Sequence, residues 1–382
     1  MHLDQDQQGF LRHIKQVVET HLAPLALEIE SQSRFPQQAQ AIFARAGLFT
    51  LAVPRSYGGQ GAGATRLALM VENIARVSPS AALLVFPTNA VLRTIALAGS
   101  EEQKERLFGE LVPAADTCLA FCLTEPDYGS EAFNLQTRAE RQGEHYIVNG
   151  TKTFITLGDN ARYYLTFVRT GPGEKAGGIS ALLIPRDAPG LDFGPPEKKM
   201  GLHGSVTSNM YLQNVPVPVA NRLGGEGEGW QVLTRICNPM RVWGAAAMAL
   251  GTAQGIFDQT LAYVRENAER LDPADRQSRD FALADMKMRI EACRSLIYRV
   301  CRMVDDPATE PQQVDAFVSM SKCYAADTGM AVGELAGGVL GMDLMRPDCL
   351  AGRLYLDAKA IQIFDGTNQI QRLVVAKSLA LG

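Results

Sequence analysis

Apolar residues recur at spacings of three and four from about residue 8 to residue 110: Phe10, Ile14, Val17 and Leu22, then Ile42 and Leu48, then Leu67, Met70 and Ile74. That period gathers them on one side of a helix, so the pattern predicts an N-terminal block of amphipathic helices. Between roughly 117 and 220 the texture changes to short β-rich runs, Tyr163 to Val168 and Ile179 to Ile184, separated by turn pairs such as Asn149-Gly150 and Pro189-Gly190. Runs of this kind cut by such turns predict a compact β domain. Beyond Gly229 the helical period returns, and Leu283, Met286, Ile290, Cys293, Ile297 and Val300 make one stripe. Such a stripe packs in the core of a helical bundle or against another subunit. The expected architecture is α+β and multidomain: a helical domain over 1–116, a β domain over 117–222 and a second helical domain over 223–382.

Composition narrows the class. With 46% hydrophobic and 20% charged residues and 19 prolines in 382 positions, the chain is able to bury large cores and does not read as disordered. Net charge is −4, and no domain reads as a basic platform, so no nucleic-acid partner is expected. The start, Met1-His2-Leu3-Asp4-Gln5-Asp6, has no basic region followed by an apolar one, and no later run reads as a bilayer span. A cytoplasmic protein without a membrane partner is the expectation. Seven cysteines, at 118, 122, 237, 293, 301, 323 and 349, are scattered and mostly set in apolar stretches, as reduced core thiols are. Cys118 and Cys122, expected on a strand, have no second pair or histidine at zinc spacing, so no metal site is expected. Gly224-Gly225-Glu226-Gly227-Glu228-Gly229 imitates a dinucleotide fingerprint without the strand-helix unit around it, and reads as a flexible link.

Chemistry concentrates in three separated segments: Cys122-Leu123-Thr124-Glu125-Pro126-Asp127-Tyr128-Gly129-Ser130, Asn149-Gly150-Thr151-Lys152-Thr153-Phe154-Ile155-Thr156, and Phe364-Asp365-Gly366-Thr367-Asn368-Gln369-Ile370-Gln371-Arg372. With Met200-Gly201-Leu202-His203-Gly204-Ser205 and Leu283-Ala284-Asp285-Met286 they resemble the acyl-CoA dehydrogenase family, in order and spacing, nearly end to end. The resemblance implies that family's fold, with a middle β-barrel or sandwich and a C-terminal four-helix bundle. It also implies FAD as cofactor, and removal of hydrogen from the α and β carbons of an acyl thioester, as in fatty acid metabolism. An isoalloxazine ring needs hydrogen-bond donors at its pyrimidine edge and near N5, which small polar residues and backbone amides on β turns supply. By resemblance, Leu123 and Thr124, with Phe121 before them, serve the pyrimidine edge. Thr156, with Phe154 and Ile155 beside it, serves N5, and Thr367, Asn368 and Gln369 meet the dinucleotide phosphates. Ser130 lies between cofactor and pantetheine arm, and Arg241 and Gly366 belong to the substrate side. The implied partners are an acyl thioester on CoA or a carrier protein, an electron acceptor such as an electron-transfer flavoprotein, and further copies of the chain in a homodimer or homotetramer.

Removing a proton α to a thioester carbonyl requires a carboxylate held over that carbon. Asp365 stands where the family has its catalytic glutamate. Alone, an aspartate before Gly-Thr reads as turn chemistry or a helix N-cap; the segment around it favours the base. The side chain is one methylene shorter, which sets the carboxylate back by about 1 Å. Three further departures fall on the dinucleotide or dimer side. The family's Arg-x-x-Phe-Gly stretch reads Asn267-Ala268-Glu269-Arg270-Leu271-Asp272-Pro273, its Gln-x-x-Gly-Gly stretch reads Gly338-Val339-Leu340-Gly341-Met342, and Leu356 stands for an arginine before Asp357. A looser grip on FAD is the expectation. Cys237-Asn238-Pro239-Met240-Arg241, where some relatives carry the base, holds no carboxylate. Two other readings stay open. One is oxidation like that of nitroalkane oxidase, with Asp365 as carbon-acid base and Arg372 near it; the other is a flavin-binding member without turnover.

Overall fold

The computed structural model of the protein describes residues 3–172 and 176–379. Six helices come first: α1 (Gln5–Val17), α2 (Ala26–Ser31), α3 (Gln37–Arg45), α4 (Ala64–Ala75), α5 (Pro79–Ala98) and α6 (Glu101–Leu111). Their buried faces carry the residues that the period picks out, among them Ile14, Ile42, Leu67, Met70 and Ile74. Helix α5 corrects the expectation that no run reads as a bilayer span. Its 20 residues are long and apolar enough by length and composition to cross a membrane, yet most of the helix is buried inside the fold. It packs against α3, α4, α8 and the first strand, and a helix covered on several sides has no need of a polar face.

The β segment is one sheet: β1 (Leu119–Cys122), β2 (Arg138–Gln142), β3 (His145–Thr156), β4 (Tyr163–Arg169), β5 (Ile179–Pro185), β6 (Leu191–Phe193), β7 (Thr207–Pro218) and β8 (Arg222–Leu223). Strand order is β6-β7-β3-β2-β4-β5-β8, with β1 pairing parallel to β4. Cys122 is on β1, whereas Cys118 lies just ahead of it; all the described cysteines are free. The long β3–β7 pair slips register twice, between Val148 and Gly150 and between Lys152 and Ile155. The second slip matters for the site.

After β8 the glycine run is a fixed turn rather than a loose link. The Gly225 N–H donates to the Glu228 carboxylate at 2.9 Å and the Gly227 N–H to Ser180 Oγ at 2.9 Å. Helix α7 (Gly229–Gln231) then runs on through π and 3-10 turns to Ala246 and into α8 (Ala247–Glu266). Helices α9 (Arg276–Asp305), α10 (Pro311–Leu340), α11 (Leu350–Ile361) and α12 (Asn368–Ser378) complete the bundle. In the stripe on α9, Met286, Ile290, Cys293, Ile297 and Val300 are fully buried within this one chain. Of the two uses the sequence allows for the stripe, it is the chain's own core. The loop after β6 seats against α11: a Cβ on Gly201 would lie 2.5 Å from the Leu356 carbonyl, so only glycine lets the two backbones meet.

Candidate active site

Helix α11 ends at Ile361, and α12 begins at a cap supplied by Thr367, whose hydroxyl accepts from the Ile370 N–H at 3.2 Å. Asp365 is therefore not the cap. It sits in the connecting turn with φ 54°, followed by Gly366 at φ 82°. Left-handed backbone costs a non-glycine residue about 1–2 kcal/mol, and here three side-chain donors hold it, two of them from distant elements. Arg241 Nε donates to the Asp365 carbonyl at 2.6 Å; Lys322 Nζ and Gln371 Nε2 donate to the Gly366 carbonyl at 2.9 and 3.1 Å. In the Asp365 carboxylate, Oδ1 lies 3.4 Å from Arg241 Nε, while Oδ2 is buried with no hydrogen-bond partner. Burial pushes this carboxyl above the ordinary aspartate value, against the pull of Arg241 and then Lys322. Desolvation raises the basicity of such a carboxylate, while the nearby positive charges keep its ionised form accessible.

Arg372, which the nitroalkane oxidase-like reading sets near Asp365, makes its ion pair elsewhere. Arg372 binds Asp327 on α10 at 2.7 Å, and Arg241 takes the place beside Asp365. Asn368, expected near the phosphates, has a buried side chain that accepts from Lys322 at 3.0 Å and donates to Asp327 at 2.8 Å. Gln369 is exposed beside it.

On the sheet side, the end of β1 is tied to β3. The Thr153 N–H donates to the Thr124 carbonyl at 2.9 Å, and Lys152 Nζ donates to the Leu123 carbonyl at 3.1 Å. Lys152 is fully buried against Glu125 at 2.9 Å. Glu125 also accepts from the Gln136 N–H, the Thr137 N–H and the Thr137 hydroxyl, at 2.6, 2.9 and 2.6 Å. Burial alone would raise its carboxyl, but Lys152 and these donors hold it below the ordinary glutamate value. The register slip in β3 gives Phe154 a φ of 55° and turns its ring outward, 62% exposed, while the Ile155 side chain goes into the core. Phe121 packs its ring on Phe167 at 5.2 Å. The hydroxyls of Thr124, Ser130 and Thr156 make no hydrogen bond to any described residue.

Models of the acyl-CoA dehydrogenase N-terminal, middle and C-terminal domains match residues 4–114, 120–215 and 227–380 in that order. Over 379 residues the chain is 36% identical to cyclohex-1-ene-1-carbonyl-CoA dehydrogenase of Geobacter metallireducens, covering 99% of each. The chain belongs to the acyl-CoA dehydrogenase family. Among solved structures it is similar to butyryl-CoA dehydrogenase from Megasphaera elsdenii, with a TM-score of 0.92 and 31% identity over 100% of this chain and 99% of that one. It is also similar to the prolyl acyl carrier protein oxidase AnaB, with a TM-score of 0.89 and 26% identity over 100% of both chains. The protein is accordingly an FAD-dependent oxidoreductase acting on CH–CH groups. Its own residues fit that cofactor: an outward aromatic on a kinked strand and unspent hydroxyls at Thr124 and Thr156 are the donors and apolar surface that a flavin edge needs. The parts that sequence reasoning missed are the supports, Lys322 and the Glu125–Lys152 pair. A signal existed for Lys322, a single cation in the apolar run Val318 to Ala326; nothing local marked Lys152 as inward.

Proposed function

We propose that this member of the family uses Asp365 to take the α proton of an acyl thioester while the β hydrogen leaves as hydride, giving an α,β-unsaturated thioester. The unspent, buried Oδ2 of Asp365 beside Arg241 carries the reading. An oxygen with no partner to give up accepts a proton without first breaking a hydrogen bond. Bound FAD supplies the two-electron acceptor for the hydride. In this proposal Phe121, Leu123, Thr124, Phe154, Thr156 and the Ile155 backbone flank the ring, Thr367 and Gln369 lie toward the phosphates, and Ser130, Arg241 and Gly366 lie toward the thioester. Charge growing on the thioester oxygen needs donors. The backbone N–H groups of Asp365 and Gly366 donate to no described residue, which leaves them free for that oxygen.

Thioesters of CoA and of a carrier protein both fall within the proposal, the second supported by the likeness to an acyl carrier protein oxidase. We take the domains as 1–116, 117–222 and 223–382, and the working form as a cytoplasmic homo-oligomer that passes electrons to an electron-transfer flavoprotein. Phe281, Met288, Met342 and Met345 stand exposed on the C-terminal helices, where copies would meet. Anaerobic titration of the FAD-loaded protein with acyl-CoAs and acyl carrier proteins is the test. The right substrate bleaches the flavin. Asp365→Asn should slow that bleaching by about 10²–10⁴-fold, and Asp365→Glu, which keeps a carboxylate, should retain measurable reduction. Bleaching by Asp365→Asn at the wild-type rate would place the base elsewhere.

A further inference from the structure

Lys322 is the one described cation, apart from Lys152, whose side chain is completely buried, and it has no carboxylate within salt-bridge distance. Its ammonium is spent on the turn that holds Asp365: one N–H goes to the Gly366 carbonyl at 2.9 Å and another to Asn368 Oδ1 at 3.0 Å. Asn368 in turn donates to Asp327 at 2.8 Å, and Asp327 also receives Gln362 at 2.7 Å and Arg372 at 2.7 Å. Helix α10 thus supplies a polar frame that clasps the α11–α12 turn from beneath. Peptide units are planar and trans, so a carbonyl pulled to one side aims the following N–H to the other. Arg241 on the Asp365 carbonyl and Lys322 on the Gly366 carbonyl therefore turn the N–H groups of Gly366 and Thr367 away from the protein's cations.

We infer that Lys322 is a positioning residue for the candidate base: from within α10 it fixes the Asp365–Asn368 turn and supplies, with Arg241, the second positive charge that favours ionised Asp365. The inference rests on the reading of Asp365 as base. Burying an ammonium for a carbonyl and an amide alone is costly, and the nearby Asp365 charge is what offsets it. Burial lowers the Lys322 ammonium to about 8, and Asp365 is the strongest influence in the opposite direction. The other groups facing this turn are Arg241 and Cys237 on the segment before α8, Asp315, Cys323 and Asp327 on α10, and Arg372 on α12.

The test uses full-length, FAD-loaded protein as wild type, Lys322→Gln, Lys322→Arg, Asp365→Asn and the Lys322→Gln/Asp365→Asn double variant. In Lys322→Gln the acidic limb of the flavin-reduction rate should move up by about one pH unit, and Lys322→Arg should bring it back. A core residue without this role would lower the rate equally at every pH, and an unmoved limb in folded Lys322→Gln overturns the inference. Urea unfolding of the same set gives a second readout that needs no turnover: the Asp365→Asn change should be less harmful, or helpful, once Lys322 is neutral. Additive effects, or a Lys322→Gln chain that fails to fold whether residue 365 is Asp or Asn, would also overturn it. If Asp365→Asn alone still bleaches its flavin at the wild-type rate, the base assignment fails on its own, independently of the coupling between the two residues.

Discussion

Asp365 and Gly366 are consecutive left-handed residues, with φ of 54° and 82°, and the second has no room for a side chain. A Cβ on Gly366 would lie 2.5 Å from Gln371 Nε2, the amide that donates to the Gly366 carbonyl. Gly366→Ala must therefore strain the backbone and displace a holder of the turn together. We expect the variant to fold and bind FAD but to lose flavin reduction by about 100-fold, the cost of misplacing a reacting group by an ångström. Stopped-flow reduction with a saturating substrate checks this, and an unimpaired rate would show that Gln371 does not set the geometry. The Asp-Gly-Thr turn was legible in the sequence as a turn, and the segment around it as one that resembles the family's catalytic stretch. Its holders were not: Arg241 is 124 residues from Asp365 and Lys322 is 44 from Gly366 along the chain. Contacts between side chains that distant leave no local pattern, whereas a resemblance reports only the residues it matches.

At the scale of elements, β3 does two things that its pattern does not announce. It breaks register between Lys152 and Ile155 to turn Phe154 outward, and it sends Lys152 into the sheet's interior to hold the Leu123 carbonyl. Helix periods, by contrast, were plain, because a stripe repeats many times along a helix while a bulge happens once. Helix α5 failed the simple reading for the opposite reason: its burial on several sides erased the polar face that distinguishes a core helix from a span. The buried Glu125–Lys152 pair is satisfied unevenly. Glu125 keeps three other donors without Lys152, whereas Lys152 without Glu125 keeps only the Leu123 carbonyl. Glu125→Gln should therefore destabilise by about 3–5 kcal/mol, the cost of stranding a buried charge, and Lys152→Met by less. Lys152→Met should nonetheless weaken FAD retention, since it releases Leu123. Urea unfolding and FAD dissociation, measured on both variants, would refute this if the two rankings ran the same way.

The whole molecule is joined at a second buried pair, this one of two carboxyls, Glu30 and Asp357. Glu30 on α2 accepts from the Ser78 hydroxyl, the Ser80 N–H and the Ser80 hydroxyl at 2.6, 3.1 and 2.6 Å. Asp357 on α11 accepts from the Leu202 N–H of the loop between β6 and β7 at 2.5 Å, while its Oδ2 is buried without a donor. The two carboxyls reach each other, so N-terminal helices, β segment and C-terminal bundle meet at one point. Burial raises both, and the Glu30 charge raises Asp357 further; like charges in one dry site disfavour double ionisation, which favours a proton held on the pair. The sign of the consequence is fixed. A carboxyl raised in the folded state holds a proton that the unfolded chain releases, so its stability is full below the unfolded value of about 4 and is lost as pH rises through the folded one. Asp357→Asn replaces the shared proton with a permanent amide donor to Glu30 and keeps an oxygen for Leu202. We expect it to raise the melting temperature at pH 8 and to flatten the decline in stability from about pH 4 upward, by about 1.4 kcal/mol for each unit by which the proton is held above its unfolded value. Thermal unfolding of wild type and Asp357→Asn across that range decides it: if the variant is less stable at pH 8 and keeps the wild-type slope, the three parts of the molecule are not joined through a shared proton.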